Sequence, residues 1–398
     1  ADMQAACAFQ HQVNTQNPTP LAGGVKLRVL IANSGSDTLN NSSASDGNVA
    51  TVAQLISRRV QIGNLDHILA VVGWPKSQES ENAITVLAAA KIPLIAQTAS
   101  LPSLSGGSSY FFHMGPTAAD QGKAQAQFAY RALNAHHVLV MSDPNDPYSK
   151  AMADAFSASF KQLGGNAPED QAYAFTEGQT TVDQFKLLGV QNAQVNHVDL
   201  IYLPGLDVDA VRLAHALGEE SRAYGWSAYL AGLRILGDDR FDSGLLLGNG
   251  VGSDAQLAQN YPQDMQRLIF TSFANQAEGG AQLQSVLDNW NTLYGAASGS
   301  KLAVPVPTSS ALMVNDAFGV LIDALGQATG PLTGESLNAA LVVIGTGSIK
   351  PYQGATGQLA FDNNGDPANK TVILLEIAAN STSGQNEIKF VGKSSSAS

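Results

Sequence analysis

Hydroxyl, amide and carboxylate side chains that could contact or transform a small molecule gather in six short stretches: Asn33–Asp37, Gly73–Ser80, Gln97–Pro102, Ser142–Ser149, Pro204–Asp209 and Gly232–Asp239. They are rich in Ser, Thr, Asn, Gly and Trp/Tyr. Such side chains hydrogen-bond to a ligand and stack on it, but are less suited to proton transfer. No Gly-x-Ser-x-Gly elbow offers a nucleophile, and no His-Glu-x-x-His pair offers a zinc site. The histidines are His11, His67, His113, His136, His137, His197 and His215, most of them at strand starts or on helices. His136-His137 precedes a strand and reads as its solvated beginning, with metal binding as the alternative.

Other suggestive stretches have plainer readings. Gly248-Asn-Gly-Val-Gly252 lacks the Gly-x-Gly-x-x-Gly spacing and the following Lys-Ser/Thr of a phosphate loop, so it reads as a turn. Asp143–Pro147 and Asp362–Asp366 resemble calcium loops, but read as a proline-stiffened turn and a hairpin turn. Cys7 is the sole cysteine, which excludes an intrachain disulfide and a cysteine-based zinc site. Ala5-Ala6-Cys7 is lipobox-like, but no apolar run precedes it, and Cys7 reads as a small residue on a helix face. No cofactor is expected.

The elements that must position these stretches alternate between apolar strands and amphipathic helices. Expected strands are Leu27–Ala32, His67–Val72, Ile92–Ile95, Tyr110–Met114, Val138–Met141, Val198–Leu203 and Ala228–Ala231. Expected helices include Val49–Arg59, Ala83–Ala90, Ala118–Leu133, Lys150–Leu163 and Val208–Leu217. Continuous apolar strands alternating with helices indicate parallel sheets covered on both faces. Loops after the strand C-termini then collect at one edge, where ligands bind. Leu236–Met265 reads as a surface excursion, and residues 378–398 as an irregular Ser/Gly/Asn-rich end. The pattern restarts near Gly115, which suggests two lobes of one type, consistent with 398 residues.

The balance of 21 basic and 33 acidic residues, net −12, excludes a nucleic-acid binder and disfavours an anionic membrane surface. Hydrophobic residues make up 44% and charged residues 14%, a globular composition. No apolar run reaches transmembrane length. No signal peptide is visible, and the chain reads as starting after processing or at an artificial boundary.

Several ordered motifs carry a family resemblance. Val71-Val-Gly-Trp-Pro-x-Ser77 is similar to "V-I-G-P-x-S-S", and Ile92–Ser100 to "I-P-x-I-S-x-x-A-T". Tyr110–Gly122 is similar to "Y-x-F-R-x-x-P-x-D-x-x-Q-G", Asp146–Lys150 to "x-x-Y-G-x-G", Asn315–Ala317 to "Y-D-A", and Gly354–Asp366 to "G-x-x-G-x-x-x-F-D-x-x-G-D". Over residues 22–392 the chain resembles the leucine/isoleucine/valine-binding-protein-like substrate-binding components of ABC transporters.

The resemblance implies an α/β fold of two doubly wound parallel-sheet lobes, the type I periplasmic-binding-protein or venus-flytrap architecture, joined by three crossovers. These fall near Gly115–Ala119, Ser272–Gln276 and Pro351–Gln358. Lobe 1 would comprise 1–116 and 276–350, lobe 2 would comprise 117–275 and 351–392, and 393–398 would be a disordered tail. A ligand in the cleft would meet Trp74, Ser77, Gln78, Thr98, Ala99, Ser100 and Tyr148. The family's second tyrosine falls at Gly205-Leu206, and its ammonium-binding carboxylate at Leu233-Arg234. Arg234 would therefore favour a carboxylate or phosphate over an α-ammonium, unless it is a surface residue paired with Asp238 or Asp239. Leu27–Ala32 aligns with the family's second strand, leaving its first without a counterpart.

The implied function is extracytoplasmic binding of a small polar ligand, an amino acid or related carboxylate, for a membrane ABC permease. The chain would be a monomer, periplasmic or extracellular, with lipid anchoring to the surface as a variant of that placement. A ligand-sensing receptor domain would use the same fold. An α/β hydrolase or dehydrogenase would need a catalytic constellation that the loops lack.

Overall fold

Val138-Leu-Val-Met-Ser142 is buried at every position, the mark of a strand covered on both faces. The computed structural model describes residues 1–15, 21, 25–34, 43–167, 173–223, 227–295, 306–346, 349–368 and 370–395. In chain order these form α1 (Asp2–Thr15), α2 (Ser43–Gln61), β1 (Val71–Val72), α3 (Ser77–Ala89), β2 (Leu94–Ala96), β3 (Phe111–His113), α4 (Ala118–Arg131), β4 (Val138–Ser142), α5 (Pro147–Gln162) and β5 (Tyr173–Ala174). There follow α6 (Val182–Phe185), a π-helical segment (Lys186–Gln191), α7 (Asn192–Asn196), β6 (Leu200–Leu203), α8 (Asp207–Ala223), α9 (Ser227–Gly232), β7 (Arg234–Gly237) and two 3₁₀ turns (Asp239–Phe241 and Gly244–Leu247). The chain continues through α10 (Ser253–Asn260), α11 (Pro262–Met265), β8 (Leu268–Ser272), a 3₁₀ turn (Gln276–Glu278), α12 (Ala281–Tyr294), α13 (Ser309–Gln327) and α14 (Gly334–Val342). It ends with β9 (Tyr352–Gly354), β10 (Gly357–Leu359), β11 (Thr371–Ala379) and β12 (Asn386–Ser395).

The chain packs as two units: Ala1–Thr117 with Phe273–Lys370, and Ala118–Ser272 with Thr371–Ser398. The third passage between them lies at 370/371, beyond the expected Pro351–Gln358. Residues 352–359 are instead the β9–β10 hairpin of unit 1. The Asp316 carboxylate on α13 anchors it, accepting the backbone N–H groups of Ala355 (2.8 Å) and Thr356 (2.7 Å).

Unit 1 holds a parallel sheet in the order β1-β2-β3. Ile95, Phe112 and Met114 pack against Met313, Ala317 and Val320 of α13 and Leu337 and Leu341 of α14. Unit 2 holds a seven-stranded sheet in the order β12-β11-β8-β7-β6-β4-β5, parallel from β8 to β5, with β11 antiparallel to both β8 and β12. Alternation along its strands separates two apolar layers. Leu139, Met141, Ile201 and Leu203 pack with Leu213 and Leu217 of α8. Val138, Val140, Leu200 and Tyr202 pack with Phe156 and Phe160 of α5. The Tyr202 ring stacks on Phe156 at 4.0 Å between centroids, and its hydroxyl donates to Gln125 Oε1 at 2.6 Å.

Several expectations fail for identifiable reasons. No strand forms over 25–34. The N–H groups of Leu27 and Val29 go instead to the side-chain oxygens of Asn14 (2.8 Å) and Gln10 (2.6 Å), one turn apart on α1. Ala228–Ala231 lies within α9, a short apolar run that periodicity cannot separate from a strand. Leu236–Met265 is no excursion, since it completes β7 and supplies α10 and α11. Residues 378–395 are ordered by the β11–β12 pairing, which reaches Thr371↔Ser395, so 393–395 are strand; 396–398 lie outside the described residues. The same holds for residues 35–42, which include part of the loop expected at Asn33–Asp37. His136 and His137 lie exposed just before β4, as expected, their N–H groups both bound to Asp199 Oδ2 at 2.8 Å.

Candidate ligand-binding site

In unit 1 the loops after β1 and β2 are tied to each other. Gly73 (φ 154°) and Trp74 (φ 49°) turn the chain sharply out of β1. A left-handed tryptophan is uncommon and costs on the order of 1 kcal/mol, a strain typical of ligand loops. The Ser80 hydroxyl holds the turn by donating to the Trp74 carbonyl at 2.7 Å. Ser77 opens α3, and its Oγ accepts the N–H groups of Ser100 (3.0 Å) and Leu101 (3.3 Å). Thr98 Oγ1 donates to the Pro75 carbonyl at 3.1 Å. Trp74, Ser77, Gln78, Thr98, Ala99 and Ser100 are thus assembled on one loop pair. Ser77 acts first as a strut of that pair, and the Trp74 ring is largely covered rather than presented as an open platform (7% exposed). No side chain caps α3 at Lys76, so its N-terminal dipole suits an anionic group such as a carboxylate.

In unit 2 the loops after β4, β5, β6 and β7 converge on one charged network. Asp146 caps α5, accepting the N–H groups of Tyr148 and Ser149 at 3.2 Å, with Pro147 at the first helical position. Ser149 Oγ donates to the Pro204 carbonyl at 2.6 Å, joining this loop to the one after β6. Asp209 accepts the N–H groups of Leu206 (3.2 Å) and Gly178 (3.0 Å), which fixes Gly205-Leu206 beside the loop after β5. Arg240 binds three carboxylates: Asp146 (3.0 Å), Glu177 (2.8 Å) and Asp238 (2.8 Å). Its guanidinium lies 4.7 Å from the centroid of the Tyr148 ring, and the Tyr148 hydroxyl donates to Asp239 at 2.6 Å.

Asp146, Glu177 and Asp238 thus share one guanidinium, and Asp239 stands beside it on the Tyr148 hydroxyl, so carboxyl groups outnumber the cation in this cluster. Burial first, then the neighbouring Asp238, raises the Asp239 pKa to about 7. Burial likewise pushes Glu177 well above the usual carboxylate range, against the pull of Arg240. Asp209, also raised by burial, reaches about 7. Groups poised in this way stabilise an incoming cation, because its charge lets them ionise.

Arg234 does not belong to this edge. It opens β7, whereas Asp238–Arg240 follow its far end, and the strand runs parallel to β6 and β8. Its guanidinium pairs with Glu376 of β11 at 3.1 Å, not with Asp238 or Asp239. A strand at 228–231 puts Arg234 in the loop Gly232–Asp239; with the strand at Arg234–Gly237 the loop begins at Asp238 and runs on to Arg240, beyond the expected stretch. The acidic doublet beside an arginine was the available signal. Trp74, Ser77, Gln78, Thr98, Ala99 and Ser100 (unit 1) and Tyr148, Gly205 and Leu206 (unit 2) all follow strand C-termini.

Sequence comparison finds a match to the periplasmic binding protein family over residues 41–384. No curated protein matches. Solved structures share the fold. A leucine-binding protein from Thermotoga maritima superposes with a TM-score of 0.74 at 19% identity, covering 98% of this chain and 92% of the other. A branched-chain amino acid transporter substrate-binding protein from Streptococcus pneumoniae, in complex with isoleucine, gives 0.70 at 21% identity, covering 98% and 93%. An R. palustris solute-binding protein in complex with 4-hydroxybenzoate gives 0.70 at 15% identity, covering 98% and 92%.

Proposed function

The chain belongs to the periplasmic binding protein family, and on that premise we propose that it is an extracytoplasmic receptor delivering a zwitterionic α-amino acid to an ABC importer. It works as a monomer with a membrane permease as partner and performs no chemistry on its ligand. The carrying observation is the cluster of Asp146, Glu177, Asp238 and Asp239 around one guanidinium beside Tyr148. That surplus of carboxylates suits an ammonium. The hydroxyl and amide loops of unit 1, with the uncapped start of α3, suit a carboxylate. This reverses the anion preference drawn from Arg234. The leucine- and isoleucine-binding relatives of this fold support the reading; the hydroxybenzoate-binding one marks aromatic carboxylates as the competing ligand class.

An ammonium beside Asp239 would displace the proton that this group partly holds near pH 7. Calorimetry with a panel of α-amino acids and 4-hydroxybenzoate tests the proposal. An amino acid should bind with an apparent enthalpy that differs between Tris and phosphate at pH 7. Asp239→Asn should abolish that difference and weaken binding on the order of a hundredfold. Binding of 4-hydroxybenzoate alone would overturn the assignment.

A further inference from the structure

His113 ends β3, and its side chain is fully buried. Its Nδ1 lies 2.6 Å from the Ala99 carbonyl oxygen, in the unit 1 loop that carries Thr98, Ala99 and Ser100. A carbonyl can only accept, so Nδ1 carries a hydrogen. Its Nε2 lies 3.1 Å from Asp366 Oδ1. The other Asp366 oxygen accepts the Ser105 hydroxyl.

This arrangement has a consequence for protons. A neutral imidazole carries one ring hydrogen, and here Nδ1 holds it. Nε2 would then turn a lone pair toward a carboxylate. The contact becomes attractive only when one further proton enters the pair, on the ring or on the acid. Both flanks are held by backbone bonds: His113 N–H donates to the Gly365 carbonyl at 2.9 Å, and Met114 N–H to the Ala96 carbonyl at 3.0 Å. The pair therefore cannot drift apart at little cost. Gly365 is itself fixed, since at φ 79° any Cβ would run into the Phe111 carbonyl.

The charged groups facing the ring are Asp366 and, at longer range, Asp362, both on the turn before Pro367. The edge-on ring of Phe111, centroid 4.7 Å away, covers one flank. Burial drives the imidazole proton off, and Asp366, the Ala99 carbonyl and Asp362 pull it back. Burial prevails, so the ring titrates below its ordinary range.

We infer that His113 is a positioning residue for the ligand loop Gln97–Ser100, setting the place of the Ala99 carbonyl through one proton shared with Asp366. On acidification the imidazolium, a stronger donor, draws the Ala99 carbonyl and the Asp362–Asp366 turn together. At higher pH the lone pair and the carboxylate repel, and the loop loosens. The relevance of this loop to binding rests on the amino-acid reading above; the latch itself does not.

Nitrogen-15 NMR of the ligand-free protein across pH 4.5–8 tests the latch apart from any ligand. The neutral ring should carry its hydrogen on Nδ1, and the Ala99 and Ser100 amides should shift with the His113 midpoint. Asp366→Asn should lower that midpoint by at least about one pH unit, since it removes the facing charge. His113→Asn keeps a donor for the Ala99 carbonyl but cannot titrate, so in that variant the two amides should stop moving. A neutral ring protonated on Nε2 would overturn the proposal. So would flat Ala99 and Ser100 amides in the wild type, an unmoved midpoint in Asp366→Asn, or amides that still titrate in His113→Asn.

Discussion

Arg240 meets Asp146, Glu177 and Asp238 at once, and such a buried ion keeps its value only while its partners remain. Arg240→Met keeps much of the length and removes the charge, leaving carboxylates crowded with no cation among them. The expected cost is about 3 kcal/mol or more at pH 7, read as a lowered urea midpoint. The sign with pH follows from the direction of the shifts. Burial already raises Glu177 above its unfolded value, and loss of Arg240 would raise it further. The folded variant then binds more protons than the unfolded chain between those two values, so its stability recovers as pH falls through that window. The deficit should therefore shrink between pH 7 and pH 5; an equal deficit at both would show that Arg240 acts by packing alone. Lys370 gives the opposite case. Burial depresses it to about 8 from an unfolded value near 10.5, so stability should rise with pH between those values. Lys370→Met should flatten that rise in urea titrations; an unchanged slope would contradict it. Tyr148 stood out in the sequence through its motif, and the turn at Asp143–Pro147 through its prolines, but the role of Asp146 did not. Arg240 was not, because its value comes from carboxylates distant in sequence.

Strand direction decides which side chains can reach a ligand. Arg234 opens β7 and Asp238 follows its end, so four residues place them at opposite edges of one sheet. Arg234→Ala should leave amino-acid affinity within about twofold and cost no more than about 1 kcal/mol of stability, since its pair with Glu376 is partly exposed. A large affinity loss in that variant would restore Arg234 to the site. Long apolar runs between clear turns, such as those behind β4 and β6, were legible in the sequence almost to the residue. Two kinds of element were not. α9 is a short apolar run of ambiguous period, and residues 25–34 show a strand-like pattern whose backbone bonds are taken by side chains of α1. β12 was obscured by the Ser/Gly/Asn content of residues 378–398, because its ordering comes from pairing with β11.

For the whole molecule, composition and motif order carried family and architecture further than they carried ligand chemistry. A net charge of −12 spreads over the chain and cannot say where acid is concentrated; that required knowing which loops share an edge of the unit 2 sheet. The account asks two chemistries of its ligand, a carboxylate and an ammonium. The most direct test takes the tightest-binding α-amino acid of the panel and compares it by calorimetry with its desamino acid and its decarboxylated amine. The account predicts that each analogue binds weaker on the order of a hundredfold, each having lost one charge-assisted set of hydrogen bonds. It also predicts that Asp239→Asn narrows the gap for the desamino acid and leaves the gap for the amine in place. A desamino acid that binds the wild-type protein as tightly as the amino acid itself would contradict the account.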